Sequence, residues 1–299
     1  AIVVLRDTTV LLAEGLGFAD LEAKVPVTAD TPFNIASVTK PISAVVALRL
    51  VERGLLDLDK PMTSYEGYAE YCKAVREDGG LFFGTYDCER SVITMRNLLS
   101  MTMNGQPGTR FFYNPPGYSW ASRPMAQVSG MAFSELTARE IFAPAGMRDS
   151  RRIHRKLPLA ADMLARLAQP YHVDSTGQMV PSDPPPPQGD GAAGGVISTA
   201  MDLARFDIAL AQGRLLTPAS RQSMWTAGRS PKGEVLPYGL GWFVQEFDGE
   251  TLIWHAGLWD GAYSALYLKC PSRGLTLILL ANSEGLRWEN ALDEATVQR

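Results

Sequence analysis

Hydrophobic residues alternate with polar ones at the start of the chain. Residues 1–20 contain two runs rich in Val and Leu on either side of Arg6-Asp7-Thr8. A period of two is typical of strands that bury one face, and the short polar break between the runs is typical of a tight turn. The pattern therefore predicts two strands joined by a hairpin turn.

The same period of two returns after residue 235. Residues 238–247 and 251–255 flank Asp248-Gly249, a dipeptide that favours hairpin turns because both of its residues tolerate a positive φ. A second hairpin is predicted from residues 262–268 and 275–280, which flank a Pro-Ser-Arg-Gly turn. Strand character is thus concentrated at the two ends of the chain.

Between these ends the apolar residues follow helical spacing. The first helix is predicted to start near Ser37, with Pro41 in its first turn and Gly54 as its C-terminal cap. We expect it to be long and amphipathic, with its apolar face formed by Val38, Ile42, Val45, Val46 and Leu50.

Shorter helices are predicted further along the chain. Residues 93–101 form one of them, and residues 124–142 form helical segments interrupted near Gly130. The prolines of residues 181–187 predict an extended spacer. Residues 287–299 predict a final helix.

Strands at both ends with helices between them indicate an α/β (α+β) fold. One antiparallel sheet is built from both chain ends and flanked by helices, and a mainly helical lobe is inserted in the sequence. We predict a sheet lobe from residues 1–36 and 190–299 and a helical lobe from residues 37–189. The cleft between the two lobes is the expected site.

Composition narrows the classes of function. The chain has 299 residues, of which 46% are hydrophobic and 20% charged, so it can bury a core without a metal or disulfide. Its formal charge of −4 argues against a nucleic-acid partner, and the basic residues between Arg148 and Lys156 are typical of a solvated turn. The longest apolar run, residues 275–281, is too short to span a bilayer.

The cysteines and histidines leave the compartment open. Cys72 and Cys88 can pair in an oxidising compartment or remain free thiols, and Cys270 is left over. Three scattered histidines show no metal-ligand spacing, so neither a metal nor another cofactor is expected. No signal peptide is visible, but the strand-like start leads us to expect upstream residues. A periplasmic or secreted location is slightly favoured, and the oligomeric state is undetermined.

Candidate chemistry begins at Ser37-Val38-Thr39-Lys40. A serine and a lysine three residues apart on a helix lie on one face. A neutral lysine amine can accept the hydroxyl proton and so activate the serine as a nucleophile. By itself the pattern also fits an exposed Ser and Lys in a first helical turn. The flanking sequence therefore decides between a catalytic pair and an exposed one.

Those surroundings resemble the serine β-lactamases of class C type and their penicillin-binding-protein and esterase relatives. Residues 31–62, TPFNIASVTKPISAVVALRLVERGLLDLDKPM, are similar to the family's nucleophile region. Similar segments follow in the family's order over nearly the whole chain, and they are ITMRNLL (93–99), PGTRFFY (107–113), GGVISTAMDL (194–203), YGLGW (238–242) and HAG (255–257). The resemblance implies a β-lactamase/transpeptidase-like fold.

The resemblance also implies roles for particular residues. Ser37 is the nucleophile, Lys40 is its partner and Tyr113 is the general base, with Tyr118 a weaker candidate. The backbone N–H groups of Ser37 and Leu258 would form the oxyanion hole. Because a phenol titrates near 10, Tyr113 needs nearby positive charge, which Lys40 and His255 are expected to supply. As a structural alternative, Tyr113 only packs in the cleft wall.

Two motifs depart from the family pattern. Where the family has Tyr-x-Asn, this chain has Tyr113-Asn114-Pro115, so the usual asparagine is missing and Asn114 stands one position early. His255-Ala256-Gly257 replaces the Lys-Thr-Gly of many β-lactamases. A neutral histidine and an alanine bind a substrate carboxylate less well than lysine and threonine do. As the alternative, His255 is a strand histidine that a backbone carbonyl satisfies.

The remaining predicted site residues are small. Gly194 and Gly195 are expected to let the backbone pass close to the cleft, and Ala256 and Gly257 are expected to line the substrate site together with Asn114. A flexible loop is the alternative for the two successive glycines.

These observations predict a serine hydrolase that forms a covalent acyl-enzyme, with a small-molecule acyl substrate. A carboxylesterase acting on small or medium acyl groups is the first hypothesis, because the departures weaken carboxylate and amide recognition. A D,D-peptidase, D-aminopeptidase or weak β-lactamase is the second. A non-catalytic binding protein that kept the fold is the third, for which Pro115 is the main argument.

Overall fold

A computed structural model of the chain describes residues 1–77, 85–186 and 189–286. In these ranges the strands are β1 (Ile2–Arg6), β2 (Thr9–Glu14), β3 (Phe18–Asp20), β4 (Val25–Pro26), β5 (Phe33–Asn34), β6 (Arg151–Arg152), β7 (Tyr171–Val173), β8 (Met179–Pro181), β9 (Val196–Ser198), β10 (Phe243–Phe247), β11 (Glu250–Trp259), β12 (Tyr263–Cys270) and β13 (Leu275–Ala281).

The helices of the same ranges lie mostly between β5 and β10. The α-helices are α1 (Thr39–Glu52), α2 (Tyr68–Glu77), α3 (Met95–Leu99), α4 (Pro115–Trp120), α5 (Ser122–Ser129), α6 (Phe133–Thr137), α7 (Ala143–Ala145), α8 (Ala161–Leu164), α9 (Ala200–Ala211) and α10 (Pro218–Met224). A π-helical turn, Ala138–Phe142, joins α6 to α7, and 3₁₀ turns occur at Ala36–Val38, Met62–Ser64 and Pro271–Arg273.

The largest sheet takes strands from both chain ends. Its order is β10-β11-β12-β13-β1-β2, and all neighbouring strands are antiparallel. Val3 lies opposite Ile278 where the N-terminal hairpin joins the C-terminal strands, and both side chains are fully buried. The predicted mixed fold with an antiparallel sheet is confirmed.

All three predicted hairpins are present, as the antiparallel pairs β1–β2, β10–β11 and β12–β13. Asp248 and Gly249 join β10 to β11 with φ values of 49° and 75°, the positive pair that a tight hairpin turn requires. The first of these strands begins at Phe243 and not at residue 238, because Gly239 and Gly241 divert the chain against the helices. A Cβ on Gly239 would lie 2.3 Å from the Met224 carbonyl oxygen.

Helix α1 is the centre of the core. The predicted apolar face is fully buried, and Gly54 follows the helix with a φ of 68°. The helix is not amphipathic, however, because its opposite face is buried as well. Small residues there, Ser43, Ala44 and Ala47, let neighbouring segments pack closely against it.

The other predictions have mixed outcomes. Helices α3, α5 and α6 occupy the predicted segments, and Gly130 interrupts them with a φ of 69°. A small sheet of order β5-β9-β6 joins strands from both predicted lobes, whose boundaries stay a prediction. The predicted helix 287–299 and Pro187, the last residue of the proline spacer, lie outside the described residues.

The three cysteines form one disulfide and leave one free thiol. Cys72 in α2 and Cys88 form a disulfide, with their Cα atoms 5.7 Å apart, and Cys270 is a buried free thiol. In the described ranges, no helix has both the length and the apolar composition that crossing a bilayer requires.

The role of α1 in the core can be tested with two leucines. Leu50 is fully buried in α1, whereas Leu16 is 71% exposed. Leu50→Ala should lower the free energy of unfolding by about 2–5 kcal/mol through lost packing and the cavity left behind. Leu16→Ala should change it by less than about 0.5 kcal/mol. Urea denaturation measures both, and equal effects would contradict the central position of α1.

Candidate active site

The nucleophile candidate lies in a strained turn at the start of α1. Ser37 is the middle residue of the 3₁₀ turn Ala36–Val38, and the residue before it has a φ of 45°, which is uncommon for a non-glycine residue. The Asn34 side chain stabilises this turn by accepting the Ala36 N–H at 2.9 Å. Ser37 is only partly buried, so its hydroxyl is presented at the surface of the core.

The lysine that follows is fully buried beside the serine. Lys40 is fully buried, and its Nζ lies 2.7 Å from the Ser37 Oγ and 3.1 Å from the Ala193 carbonyl oxygen. Within the described residues it forms no ion pair. Burial lowers the pKa of Lys40 to about 7, so about half of the amine is neutral near neutral pH. Such an amine can accept the Ser37 proton.

Tyr113 completes a cluster of three. Its hydroxyl forms a hydrogen bond with Ser37, and the Lys40 Nζ lies 5.0 Å from the ring centroid. The residue is 37% exposed, so it lies at the protein surface beside Ser37. Desolvation of the hydroxyl raises the pKa of Tyr113, and the hydrogen bond with Ser37 only partly opposes it. The expectation that positive charge would lower this pKa is wrong, and Tyr113 is a neutral hydroxyl at neutral pH.

Tyr118 does not compete for the same position. It is fully buried, and its hydroxyl donates to the Lys40 carbonyl oxygen at 2.9 Å. Its ring lies 5.8 Å from the Lys40 Nζ. The residue therefore shields the lysine and fixes the backbone of α1.

His255 is a neutral residue with both nitrogens engaged. Its Nδ1 lies 2.6 Å from the Ala256 carbonyl oxygen, which can only accept, so Nδ1 carries the proton. Its Nε2 lies 2.8 Å from the Tyr238 hydroxyl, which therefore donates to it. Desolvation, followed by the proximity of Lys40, lowers the pKa of His255 well below its usual range. The imidazole has no N–H left for a substrate, which corrects the expectation that it supplies positive charge.

Strand β11 passes beside the nucleophile. A Cβ on Gly257 would lie 2.3 Å from the Ile35 carbonyl oxygen and 3.2 Å from the Ser37 backbone nitrogen. Only glycine allows this approach. It brings the backbone that leads into Leu258 next to the Ser37 N–H, where the predicted oxyanion hole requires it.

The other residues predicted to contact substrate differ in their burial and in the space around them. Gly195 has a φ of 93° and no room for a side chain, whereas Gly194 has open space around its Cα. Ala256 is nearly buried. Asn114 is fully buried and caps α4, because its Oδ1 accepts the Gly117 N–H at 2.9 Å and its Nδ2 donates to the Asn104 Oδ1. Its predicted contact with substrate is wrong.

Two contacts were missed by sequence reasoning. The Ala193 carbonyl contacts Lys40 through the backbone, so no residue type signals it. Tyr238 belongs to the quoted YGLGW segment, and its aromatic hydroxyl could have been paired with His255. In the described part of the chain, no group of three or more His, Cys, Asp and Glu side chains is arranged to hold a metal ion.

Comparison with known proteins identifies the family. The profile of the family described as Beta-lactamase matches residues 1–298, and the chain belongs to this family. It is 29% identical to penicillin-binding protein 4* of Bacillus subtilis (strain 168) over 92% of this chain and 68% of that protein. It is 24% identical to esterase EstB of Burkholderia gladioli over 94% of this chain and 85% of that protein.

A solved structure agrees in fold. The penicillin binding protein from Bacillus halodurans aligns with a TM-score of 0.76 at 22% sequence identity, over 95% of this chain and 91% of that chain. The family and its relatives make the chain a serine hydrolase.

The protonation state of Lys40 predicts a pH dependence. The rate at which a fluorophosphonate labels Ser37 should rise with pH through an inflection near 7, because the protonated amine that dominates at lower pH cannot accept a proton. Intact-mass spectrometry from about pH 5 to about pH 9 measures this rate. Lys40→Met should slow labelling by about 10²–10⁴-fold. A labelling rate that keeps rising up to about pH 9 without an inflection near 7, and that Tyr113→Phe abolishes, would instead assign the base to the phenol.

The approach of β11 to Ser37 gives a second prediction. Gly257→Ala should force the strand away from the Ser37 turn and lower kcat by about 10²–10³-fold, as loss of an oxyanion donor does. Gly189→Ala is the matched control, because a Cβ there meets nothing within 4 Å. Steady-state kinetics of an activated ester compare the two variants, and equal rates would count against an oxyanion role for β11.

Proposed function

We propose that this member of the Beta-lactamase family is a carboxylesterase that cleaves esters of small or medium acyl groups through an acyl-enzyme. The observation that carries this proposal is that both ring nitrogens of His255 are already hydrogen-bonded, one to the Tyr238 hydroxyl and the other to the Ala256 carbonyl oxygen. It puts a neutral group where the resemblance places a lysine that binds a substrate carboxylate. A neutral acyl substrate needs no such cation, and an ester needs less activation than an amide.

The reaction starts with proton transfer from Ser37. The neutral Lys40 amine accepts the hydroxyl proton, and the Tyr113 hydroxyl stabilises the forming alkoxide through its hydrogen bond with Ser37. The Oγ then attacks the ester carbonyl carbon, and the carbonyl oxygen becomes an oxyanion bound by the N–H groups of Ser37 and Leu258. The Lys40 ammonium returns the proton to the leaving alkoxide as the ester bond breaks.

Deacylation repeats these steps with water. Lys40, neutral again, accepts a proton from a water molecule that attacks the acyl carbon, and the proton then returns to the Ser37 oxygen. The same three side chains therefore serve both halves of the cycle. Resemblance to esterase EstB supports the ester reaction, and resemblance to penicillin-binding protein 4* keeps amide substrates as the second candidate.

The proposal predicts a substrate preference. The kcat/KM for p-nitrophenyl butyrate should exceed that for a chromogenic cephalosporin by at least about 100-fold, because the cephalosporin carries a carboxylate that finds no cationic partner at His255. Absorbance assays measure both rates, with Ser37→Ala as the control for the nucleophile. Turnover of the cephalosporin alone would favour a weak β-lactamase, and equal labelling of Ser37→Ala by a fluorophosphonate would contradict the nucleophile assignment.

A further inference from the structure

The second contact of Lys40 determines which way its lone pair points. A neutral amine has two N–H groups and one lone pair. One N–H donates to the Ala193 carbonyl oxygen at 3.1 Å, while the Ser37 Oγ lies at 2.7 Å. With one N–H held there, the amine can turn its lone pair towards the serine. A displaced Ala193 carbonyl would leave the amine free to rotate and would admit water beside it.

Hydrogen bonds fix the backbone both before and after Ala193. Ser43 in α1 donates to the Ala192 carbonyl oxygen at 2.7 Å, and the Ala192 N–H donates to the Ser119 carbonyl oxygen at 2.9 Å. After Ala193, the Gly195 carbonyl accepts the Ile153 N–H at 2.8 Å. We call residues 190–195 the strap.

A buried arginine holds the start of the strap. Arg152 is 3% exposed, and its Nε donates to the Asp190 Oδ1 at 2.9 Å while its Nη2 donates to the Gly191 carbonyl oxygen. The other Asp190 carboxylate oxygen accepts the Ser134 N–H at 3.0 Å. The guanidinium carbon lies 4.6 Å from the centroid of the Phe133 ring. One side chain thus ties the strap to both β6 and α6.

This arrangement is poorly explained as a device for stability. A buried ion pair is weak evidence for stabilisation, because desolvation opposes the attraction. The Arg152 Nη1 is also buried and has no hydrogen-bond partner among the described residues, which adds a cost. Arginine does supply a rigid fork that reaches a carboxylate and a neighbouring carbonyl together. That geometry fixes the position of the strap.

We propose that Arg152 is a positioning residue for catalysis, which holds the strap through Asp190 and Gly191 so that the Ala193 carbonyl orients Lys40 towards Ser37. This inference rests on the proposed roles of Ser37 and Lys40. The side chain of Arg152 contacts Asp190, Gly191 and Phe133, so it would act on Ser37 and Lys40 only through the strap. Its charge is compensated by Asp190, so it acts through position alone.

The test uses the double variant Arg152→Met/Asp190→Asn, which leaves no unpaired buried charge and keeps an acceptor for the Ser134 N–H. The rate of fluorophosphonate labelling at Ser37 is followed against pH by intact-mass spectrometry. We expect a plateau rate at least about tenfold lower, since small misplacements are costly. The inflection near 7 should move to higher pH, because water at the amine relieves the desolvation that lowers the pKa of Lys40.

The matched control is Lys269→Met/Asp207→Asn. It removes another buried ion pair, one that joins α9 to β12 and contacts Tyr267 and Thr276. Its labelling inflection should stay at the wild-type pH whatever its effect on stability. Arg152→Lys, which keeps the charge but has a single ammonium in place of the fork, should shift the inflection in the same direction by a smaller amount. If the double variant does not fold, the shift measured for Arg152→Lys tests the positioning role instead.

The outcomes separate the two proposals. An unshifted inflection in a folded Arg152 variant overturns the positioning role, as does an equal shift in the control. A wild-type protein that is not labelled at Ser37 overturns the proposed function instead.

Discussion

The site depends on a buried amine, that of Lys40, which has no counter-ion in the part of the chain that the structure describes. If the Lys40 amine were exposed to water, its pKa would be near the ordinary value and it would be protonated at neutral pH. A nearby carboxylate would also keep it protonated. A protonated amine cannot accept the serine proton. The fold avoids both by placing the amine between a hydroxyl and a backbone carbonyl, below the rings of Tyr113 and Tyr118. Packing of the core against both faces of α1 thus provides the low dielectric that the Lys40 nitrogen requires.

The same burial determines what its neighbours can do. A medium that disfavours charge raises the pKa of Tyr113 and lowers that of His255, so the phenol and the imidazole are both neutral. The histidine is held in one tautomer by Tyr238 and the Ala256 carbonyl, and the tyrosine is a hydroxyl partner of Ser37. Proton transfer is therefore assigned to the lysine. This neutrality is the physical basis of the proposal that the substrate is an uncharged acyl group.

Much of the architecture was predictable because it follows local rules. Alternating apolar residues and an Asp-Gly turn predicted the C-terminal hairpins, and helical spacing predicted α1. The amphipathic character of α1 was wrong, because periodicity on one face does not reveal that the other face is also covered. Asn114 was also misassigned, since its place near a motif could not show that its side chain caps α4.

By itself the sequence determined the chemical types in the site and the spacing that puts Ser37 and Lys40 one helical turn apart. It also determined that a glycine stands at position 257, where any other residue would meet the Ile35 carbonyl. Tertiary structure alone decided the protonation states, because desolvation depends on segments distant in the chain. It likewise decided the Ala193 contact and its connection to Arg152, which are made through backbone carbonyls that no side-chain pattern encodes.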